Sequence, residues 1–301
     1  MYHIIINPTA GGNKTRRDAK LVYEYLKENN IPNKIHFSEQ PKHITSIVKQ
    51  LTSQKADVKL IIMGGDGTFS EALSGIVDFN KTTVGFIPTG SGNDFAHTMK
   101  LKRDPVSALK DILLENTGKV DYIQCGELRS INIIATGLDT EVLDKYNRAK
   151  VFKGKLAYVL SLLGVLFKFK FYKFDIRADE QEIKGEFMLA ACCNGSRFGG
   201  SLPVSPRSDI TDGKINLILI HKVNRFKIPF LLLKFVKGKH LSEKWATEVL
   251  CDKVSITTLD RKQLLETDGE IYSDTPFEAE IQTGMLNVFL PTVGTGKKET
   301  H

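Results

Sequence analysis

Residues 58–75 read VKLIIMGGDGTFSEALSG, and the fold turns on how this stretch is parsed. The run 58–63 is apolar and short, which suits a strand buried on both faces. It stops at Gly64-Gly65, and helical spacing takes over across 68–77. The same strand, glycine loop and helix occur twice more. YHIII at 2–6 leads through Asn7-Pro8-Thr9-Ala10-Gly11-Gly12 into a predicted helix over 14–29, where Ala19, Val22 and Leu26 share one face. TVGFI at 83–87 leads through Pro88-Thr89-Gly90-Ser91-Gly92-Asn93 into a helical start at 94–99. A strand is predicted at 34–37, and helices at 43–53 and 106–115. Alternating strands and helices predict a parallel sheet covered on both faces. In such a sheet ligands bind beyond the carboxyl ends of the strands, where all three glycine loops fall.

After about residue 122 the pattern becomes β-rich. Short strands are predicted at 131–135, 169–178, 186–193, 214–221, 253–258 and 278–282. FKFKFYKFDIRAD at 167–179 alternates nearly residue by residue, the period of a half-exposed strand. Helices are predicted at 145–168 and 228–239. A chain of 301 residues exceeds what one core usually organises, so two domains are expected. With 41% hydrophobic and 26% charged residues the chain is globular, not disordered. Its net charge of +7 favours anionic partners without choosing among nucleotides, nucleic acid and acidic membranes. No aromatic-basic motif supports nucleic acid. Cys125, Cys192, Cys193 and Cys251 show no metal spacing and read as reduced, buried thiols of a cytoplasmic protein. The start MYHIIINP lacks signal-peptide form, and the most apolar run, 156–167, is too short to span a bilayer.

The chemistry lies in the loops. Glycines at 64, 65 and 67 let backbone approach a phosphate, and the helix that follows offers unpaired N–H groups and a positive dipole end. Asp66 is out of place beside an anion unless it meets magnesium or a substrate hydroxyl there. The plainer alternative is a glycine turn capped by Asp66. Ser91 and Asn93 can donate to phosphate, and Asp94 can cap a helix or hold an ion. In Thr267-Asp268-Gly269-Glu270 two acids flank a glycine. One of them could take the proton of a hydroxyl nucleophile, or Asp-Gly could simply close a hairpin. Asp209, Asp212, Gly213 and Lys214 pose the same choice between a turn and a magnesium site. The GxxxxGK[ST] loop, the protein-kinase HRD and DFG set and the GxGxxG fingerprint are all absent, which excludes those classes.

Together NPTAGG (7–12), GGDGTFSEALSG (64–75), GFIPTGSGNDFA (85–96), DITDGK (209–214) and ETDGE (266–270) resemble the catalytic domain of the diacylglycerol kinase family. The soluble bacterial diacylglycerol kinases and their lipid-kinase relatives are the nearer likeness. The resemblance implies an α/β nucleotide-binding domain, similar to NAD kinases and phosphofructokinases, over residues 1–122 and completed by 286–301. A β-sandwich lipid-substrate domain over 123–285 would follow, with ATP in the cleft between. By the same resemblance Asn7, Pro8, Thr9, Ala10, Gly11, Ser38, Gly64, Gly65, Asp66, Gly67, Thr68, Phe69, Ser70 and Ser91 match nucleotide-contacting positions. Ser38 stands where threonine is more usual, and Ser70 where asparagine is. Asp66, Asp94 and Asp121 match acids around a catalytic Mg2+. Asp212, with the carbonyls of Asp209 and Lys214, matches a further magnesium site. Asp268 and Glu270 match the acids near the acceptor hydroxyl.

The expected activity is therefore transfer of the γ-phosphate of ATP to diacylglycerol. A sphingoid base or polyprenol acceptor, an NAD kinase and a non-catalytic regulator are the alternatives. A lipid acceptor would be met peripherally, at an anionic membrane surface. Two apolar stretches ringed by basic residues suit this. One has Lys150, Lys153, Lys155, Lys168, Lys170 and Lys173, and the other Arg225, Lys227, Lys234, Lys237 and Lys239. A homodimer is compatible with all of these readings.

Overall fold

A computed structural model describes residues 1–138, 140, 169–273 and 275–292. The expected helix over 145–168, its lysines and the tail 293–301 lie outside the described residues. The first half builds β1 (Tyr2–Ile6), α1 (Asn13–Glu28), β2 (Asn33–Phe37), α2 (His43–Thr52), β3 (Val58–Gly64), α3 (Asp66–Gly75), β4 (Thr82–Pro88), α4 (Asp94–Thr98) and α5 (Pro105–Leu113). The strands lie parallel in the order β2-β1-β3-β4. Successive strand residues point to opposite faces, so both faces of β1 and β3 must be apolar. Ile4, Ile6, Ile61 and Met63 pack with Val22, Leu26 and Leu109 of α1 and α5. Ile5, Leu60 and Ile62 pack with Val48 of α2 and with Phe69, Ala72 and Leu73 of α3. Asp104 accepts a hydrogen bond from the Ser107 N–H at 2.8 Å, and Pro105 opens the first turn of α5, which fixes where that helix begins.

The second half is a β-sandwich built from β5 (Thr117–Cys125), β6 (Leu128–Ser130), β7 (Ile133–Gly137), β8 (Tyr172–Ala178), β9 (Gln181–Cys193), β10 (Ile215–His221), β11 (Ala246–Cys251), β12 (Lys253–Thr258), β13 (Leu264–Thr267), β14 (Glu270–Ser273) and β15 (Phe277–Phe289). Among the described residues of this half, the helix α6 (Ile228–Val236) follows a 3-10 turn at Arg225–Lys227. Its core gathers Phe174, Phe187, Ile134, Leu217, Ile256 and their neighbours, separate from the two cores of the first half. β9 is longer than the apolar run at 186–193 predicts. Its polar first half pairs with β8 in a hairpin, where one exposed face needs no apolar residues.

The strand predicted at 278–282 and the terminal MLNVFLP form one element. β15 pairs with β12 through its first residues and runs parallel to β4 through its last. β5 lies antiparallel to it over nearly its whole length, with a register shift between Gln282 and Leu286. Gly284, at φ 58, supplies the bulge residue. Residue 122 lies within β5 and residue 286 within β15, so this two-stranded ribbon threads both halves. All four cysteines are free and buried. Among the described residues no helix is long and apolar enough to cross a membrane.

Candidate active site

The three glycine loops sit together at the carboxyl ends of β1, β3 and β4. Thr89 and Gly90 donate their N–H groups to the Gly64 carbonyl at 2.8 and 3.0 Å. The Asn7 side chain donates to Thr68 Oγ1 at 3.1 Å, and Thr15 Oγ1 bridges to Thr89 Oγ1 at 2.7 Å. A β-carbon at Gly90 would lie 2.5 Å from Gly65 Cα, so only glycine permits this approach. Ser38 enters the same edge directly after β2, its N–H bonded to Ile6. Ser91 is exposed and Asn93 half-buried; Asn93 donates to the Gly90 carbonyl at 2.7 Å, and its Oδ1 is buried without a partner.

α3 begins at Asp66 with no side-chain cap. Its first N–H groups, on Asp66, Gly67 and Thr68, therefore lack intrahelical acceptors and face the loops with the positive end of the helix dipole. The helix is clamped at both ends. Phe69 packs edge-on against Phe86 at 5.1 Å and at a tilt against Phe95 at 4.7 Å, contacts worth about 0.5–1.5 kcal/mol each beyond area burial. The Phe69 ring thus faces the core, and only its backbone borders the loop. At the far end Arg129, from β6, donates to the carbonyls of Leu73 and Ile76 at 3.0 and 2.8 Å and lies 5.0 Å over the Phe79 ring.

The acids form two groups. Asp66 accepts from the Asp94 N–H at 2.9 Å and the Phe95 N–H at 3.0 Å, so it caps α4 rather than its own helix. Asp94 accepts from the Gly200 and Ser201 N–H groups at 3.1 and 2.6 Å, which ties the first domain to a loop of the second. Asp268 arrives from the β13–β14 hairpin. Asp268-Gly269 is the two-residue turn of that hairpin, with φ of 47° and 94°, and Thr267 pairs with Glu270 across it. The turn and the presented acid are therefore one feature. Asp268 Oδ2 accepts from Ser130 Oγ at 2.9 Å and from Ser70 Oγ, while its Oδ1 is buried without a partner. A β-carbon built on Gly67 would lie 3.4 Å from the Asp268 carbonyl, which seats the hairpin against the start of α3.

Burial, reinforced by the charges of Asp66 and Asp94, pushes the Asp268 carboxyl up to about 7 against the opposing pull of Ser70 and Ser130. Asp94 is also raised, chiefly by burial and then by Asp66. Glu270 is exposed and accepts from Tyr272 Oη at 2.7 Å; its charge helps raise Glu71, which burial raises more. Asp121 stands in the other group. Its oxygens accept from Gly213 and Gly284 at 2.8 and 2.6 Å, holding the 209–214 turn onto the β15 bulge. Asp212 accepts from the Lys214 N–H at 2.9 Å and is raised by burial, then by Asp209 and Asp121. Lys214 pairs with Asp252 at 2.6 Å.

Asp66, Asp94 and Asp268 thus share one seam, while Asp121, Asp209 and Asp212 share another site. Ser130, Gly200, Ser201 and Arg129 complete the first seam and belong to none of the motifs. The Gly199-Gly200-Ser201 run was the one local signal for a tight loop; Ser130 and Arg129 gave none.

Residues 1–125 match the diacylglycerol kinase catalytic domain, and residues 132–290 match the YegS C-terminal NAD kinase beta sandwich-like domain. A diacylglycerol kinase of Bacillus subtilis (strain 168) is 26% identical over 96% of this chain and 95% of its own. A solved diacylglycerol kinase structure from Bacillus anthracis str. Sterne superposes with a TM-score of 0.73 at 21% identity, covering 96% of each chain. An NAD kinase from Archaeoglobus fulgidus, solved with ATP, shares the fold at a TM-score of 0.53 and 14% identity, over 97% of this chain and 94% of that one.

Proposed function

The chain belongs to the diacylglycerol kinase family, a family of phosphotransferases, and from that premise we propose that it moves the γ-phosphate of ATP to the hydroxyl of diacylglycerol, giving phosphatidic acid. The observation that carries the reading is the meeting of Asp66, Asp94 and Asp268, remote in sequence, at the uncapped start of α3. Backbone N–H groups of α3 and the glycine loops suit the phosphates, and catalysis of phosphoryl transfer is largely such positioning and charge stabilisation.

Asp268 takes the proton of the acceptor hydroxyl as it attacks. A carboxyl near pH 7 is matched to that role, and Oδ1 has a vacant acceptor site for it. Glu270, exposed and bonded to Tyr272, orders the rim beside it. The donor set also suits magnesium. Asp66 and Asp94 are hard oxygen donors, and each oxygen keeps a lone pair after accepting one N–H. Among the described residues no three acids or histidines group to hold an ion alone. That fits an ion bound through one or two carboxylates plus phosphates. When bound, magnesium would supply neutralisation of phosphate charge. Asp212, with the carbonyls of Asp209 and Lys214, is the second place for such an ion. The nucleotide would border Asn7, Gly11, Ser38, Gly64, Gly65, Thr68 and Ser91, and the lipid would be met at an anionic membrane surface.

The test is transfer from radiolabelled ATP to a panel of diacylglycerol, sphingosine, polyprenol and NAD, with and without magnesium. Label in phosphatidic acid is expected. Label in NADP, or in another lipid alone, overturns the assignment of the acceptor.

A further inference from the structure

The least explained surface of the molecule lies on α6 and the turn before it. Residues 222–239 read KVNRFKIPFLLLKFVKGK, with six basic and no acidic residues. One face of this segment is spent on the second-domain core: Ile228 and Leu231 are buried, and Leu232 and Phe235 pack against them. The opposite face carries equally large apolar groups and leaves them in water. Phe226 is 94% exposed, Phe230 53%, Leu233 61% and Val236 59%. Phe230 and Leu233, three residues apart, share one side of α6, and Phe226 stands on the 3-10 turn just before it. Scattered exposed apolar residues are ordinary, but a contiguous stripe of four signals a contact surface.

The rim identifies the partner. Lys227, Lys237 and Lys239 flank the stripe, and among the described residues they make no ion pair. Lys234 lies 5.3 Å over the Phe230 ring while its ammonium reaches Glu243 at 2.8 Å. A second copy of this face would bring like charges together. A bilayer of anionic lipid would instead take the rings into its acyl boundary and the lysines among its headgroups.

The stripe is also joined to the acid seam. A β-carbon at Gly238, just past α6, would lie 3.3 Å from Pro206 and 3.4 Å from Pro203, and His240 bonds the Val204 carbonyl at 2.8 Å. Residues 203–206 follow directly on Gly200 and Ser201, whose N–H groups hold Asp94.

We propose that Phe226, Phe230, Leu233 and Val236, with the basic rim of α6, form the face by which this protein inserts into an anionic lipid surface. The proposal deepens the lipid-kinase reading and rests on it for the source of the substrate. Binding is nevertheless measured without nucleotide, so the two can fail separately.

The experiment uses the full chain with phosphatidylcholine vesicles, with or without phosphatidylglycerol, in a sedimentation assay. The wild type should partition onto the anionic vesicles and not the neutral ones. Phe226→Ser/Phe230→Ser should lower the partition coefficient by at least about tenfold. Lys227→Glu/Lys237→Glu should lower it similarly, and less so as salt rises. Both variants should keep wild-type thermal unfolding and wild-type phosphorylation of a short-chain acceptor in detergent micelles. Equal vesicle binding by wild type and both variants overturns the proposal. So does a wild-type dimer that Phe226→Ser/Phe230→Ser dissociates, since the stripe would then be the face of a second copy. Loss of activity on every acceptor, with vesicle binding still sensitive to the variants, would instead count against the kinase reading.

Discussion

Replacing Asp268 with asparagine should make the protein more stable at alkaline pH. The native carboxyl sits at about 7, and an unfolded aspartate sits near 3.9. The native state therefore holds this proton more tightly than the unfolded chain does. The contribution is fully present below about pH 4 and is lost as pH rises through 7. Between pH 5 and pH 8 the two titrations cost the wild type about 2–3 kcal/mol through this group alone. The substituted asparagine cannot ionise, and its amide nitrogen can occupy the place of Oδ1, which has no partner. Its oxygen still accepts from Ser130 and Ser70. Wild type and variant should be unfolded in urea side by side at pH 5 and pH 8, with chelator and no nucleotide. The stability of the variant relative to wild type should rise by about 2–3 kcal/mol across that range. Asp94, Asp212 and Glu71 are also raised, but they are common to both proteins and largely cancel. A difference that stays flat from pH 5 to pH 8 would refute the account of Asp268. The same variant should lose about 10²- to 10⁴-fold in turnover if Asp268 is the base.

Ser130→Ala removes one donor to Asp268 and the acceptor for the Ile133 N–H, so it should cost about 1–3 kcal/mol by thermal melts. It should also move the acid limb of the pH–rate profile upward, because that hydrogen bond favours the carboxylate. Asp94→Ala strands the N–H groups of Gly200 and Ser201, and hydrogen exchange at those two amides should rise well ahead of exchange in β3. Unchanged exchange there would mean that the Asp94 clamp is unimportant. Arg129→Ala uncovers two carbonyls at the end of α3 and vacates the face of Phe79; a loss of about 2–3 kcal/mol is expected by the same melts. Arg129→Lys should recover little of it, since an ammonium lacks the planar fork.

The order of strands and helices in the first half was legible because β1, β3 and β4 each run into a glycine-rich loop. The loops that gather at the site were legible for the same reason. Asp268 was ambiguous between turn and acid because the two roles share one residue: the type of turn that Asp-Gly favours is what aims the carboxyl at α3. What stayed hidden has distant partners. Ser130 is an ordinary serine until the β13–β14 hairpin folds over it, and Gly200 and Ser201 acquire meaning only once Asp94 arrives. Within GGDGTFS adjacent residues part ways. Phe69 shares its helical face with Ala72 and Leu73 and goes to the core, whereas Ser70 turns to Asp268. Nor could spacing separate Asp121 from Asp66 and Asp94. That division depends on Asp121 accepting from both Gly213 of the 209–214 turn and Gly284 of the bulge, partners far from it in sequence. β15 escaped as a single strand because Gly284 breaks its alternation where the ribbon passes between the two domains.

Asp66 and Asp268 differ in how cleanly substitution can read them, and the difference follows from counting acceptors. Both oxygens of Asp66 are committed, one to the Asp94 N–H and one to the Phe95 N–H. An asparagine offers only one acceptor, so one of those amides must face an NH2 group whichever way the side chain turns. A buried donor left without an acceptor costs about 1–3 kcal/mol, and here it would loosen α4 and with it the Asp94 contact to the second domain. Lost turnover in Asp66→Asn would therefore mix missing charge with a displaced loop. Asp268 commits a single oxygen, so its amide can fit without orphaning a backbone group. The burden of deciding whether this seam is catalytic falls on Asp268. Asp66 can be judged only beside a measurement that reports the position of α4 itself.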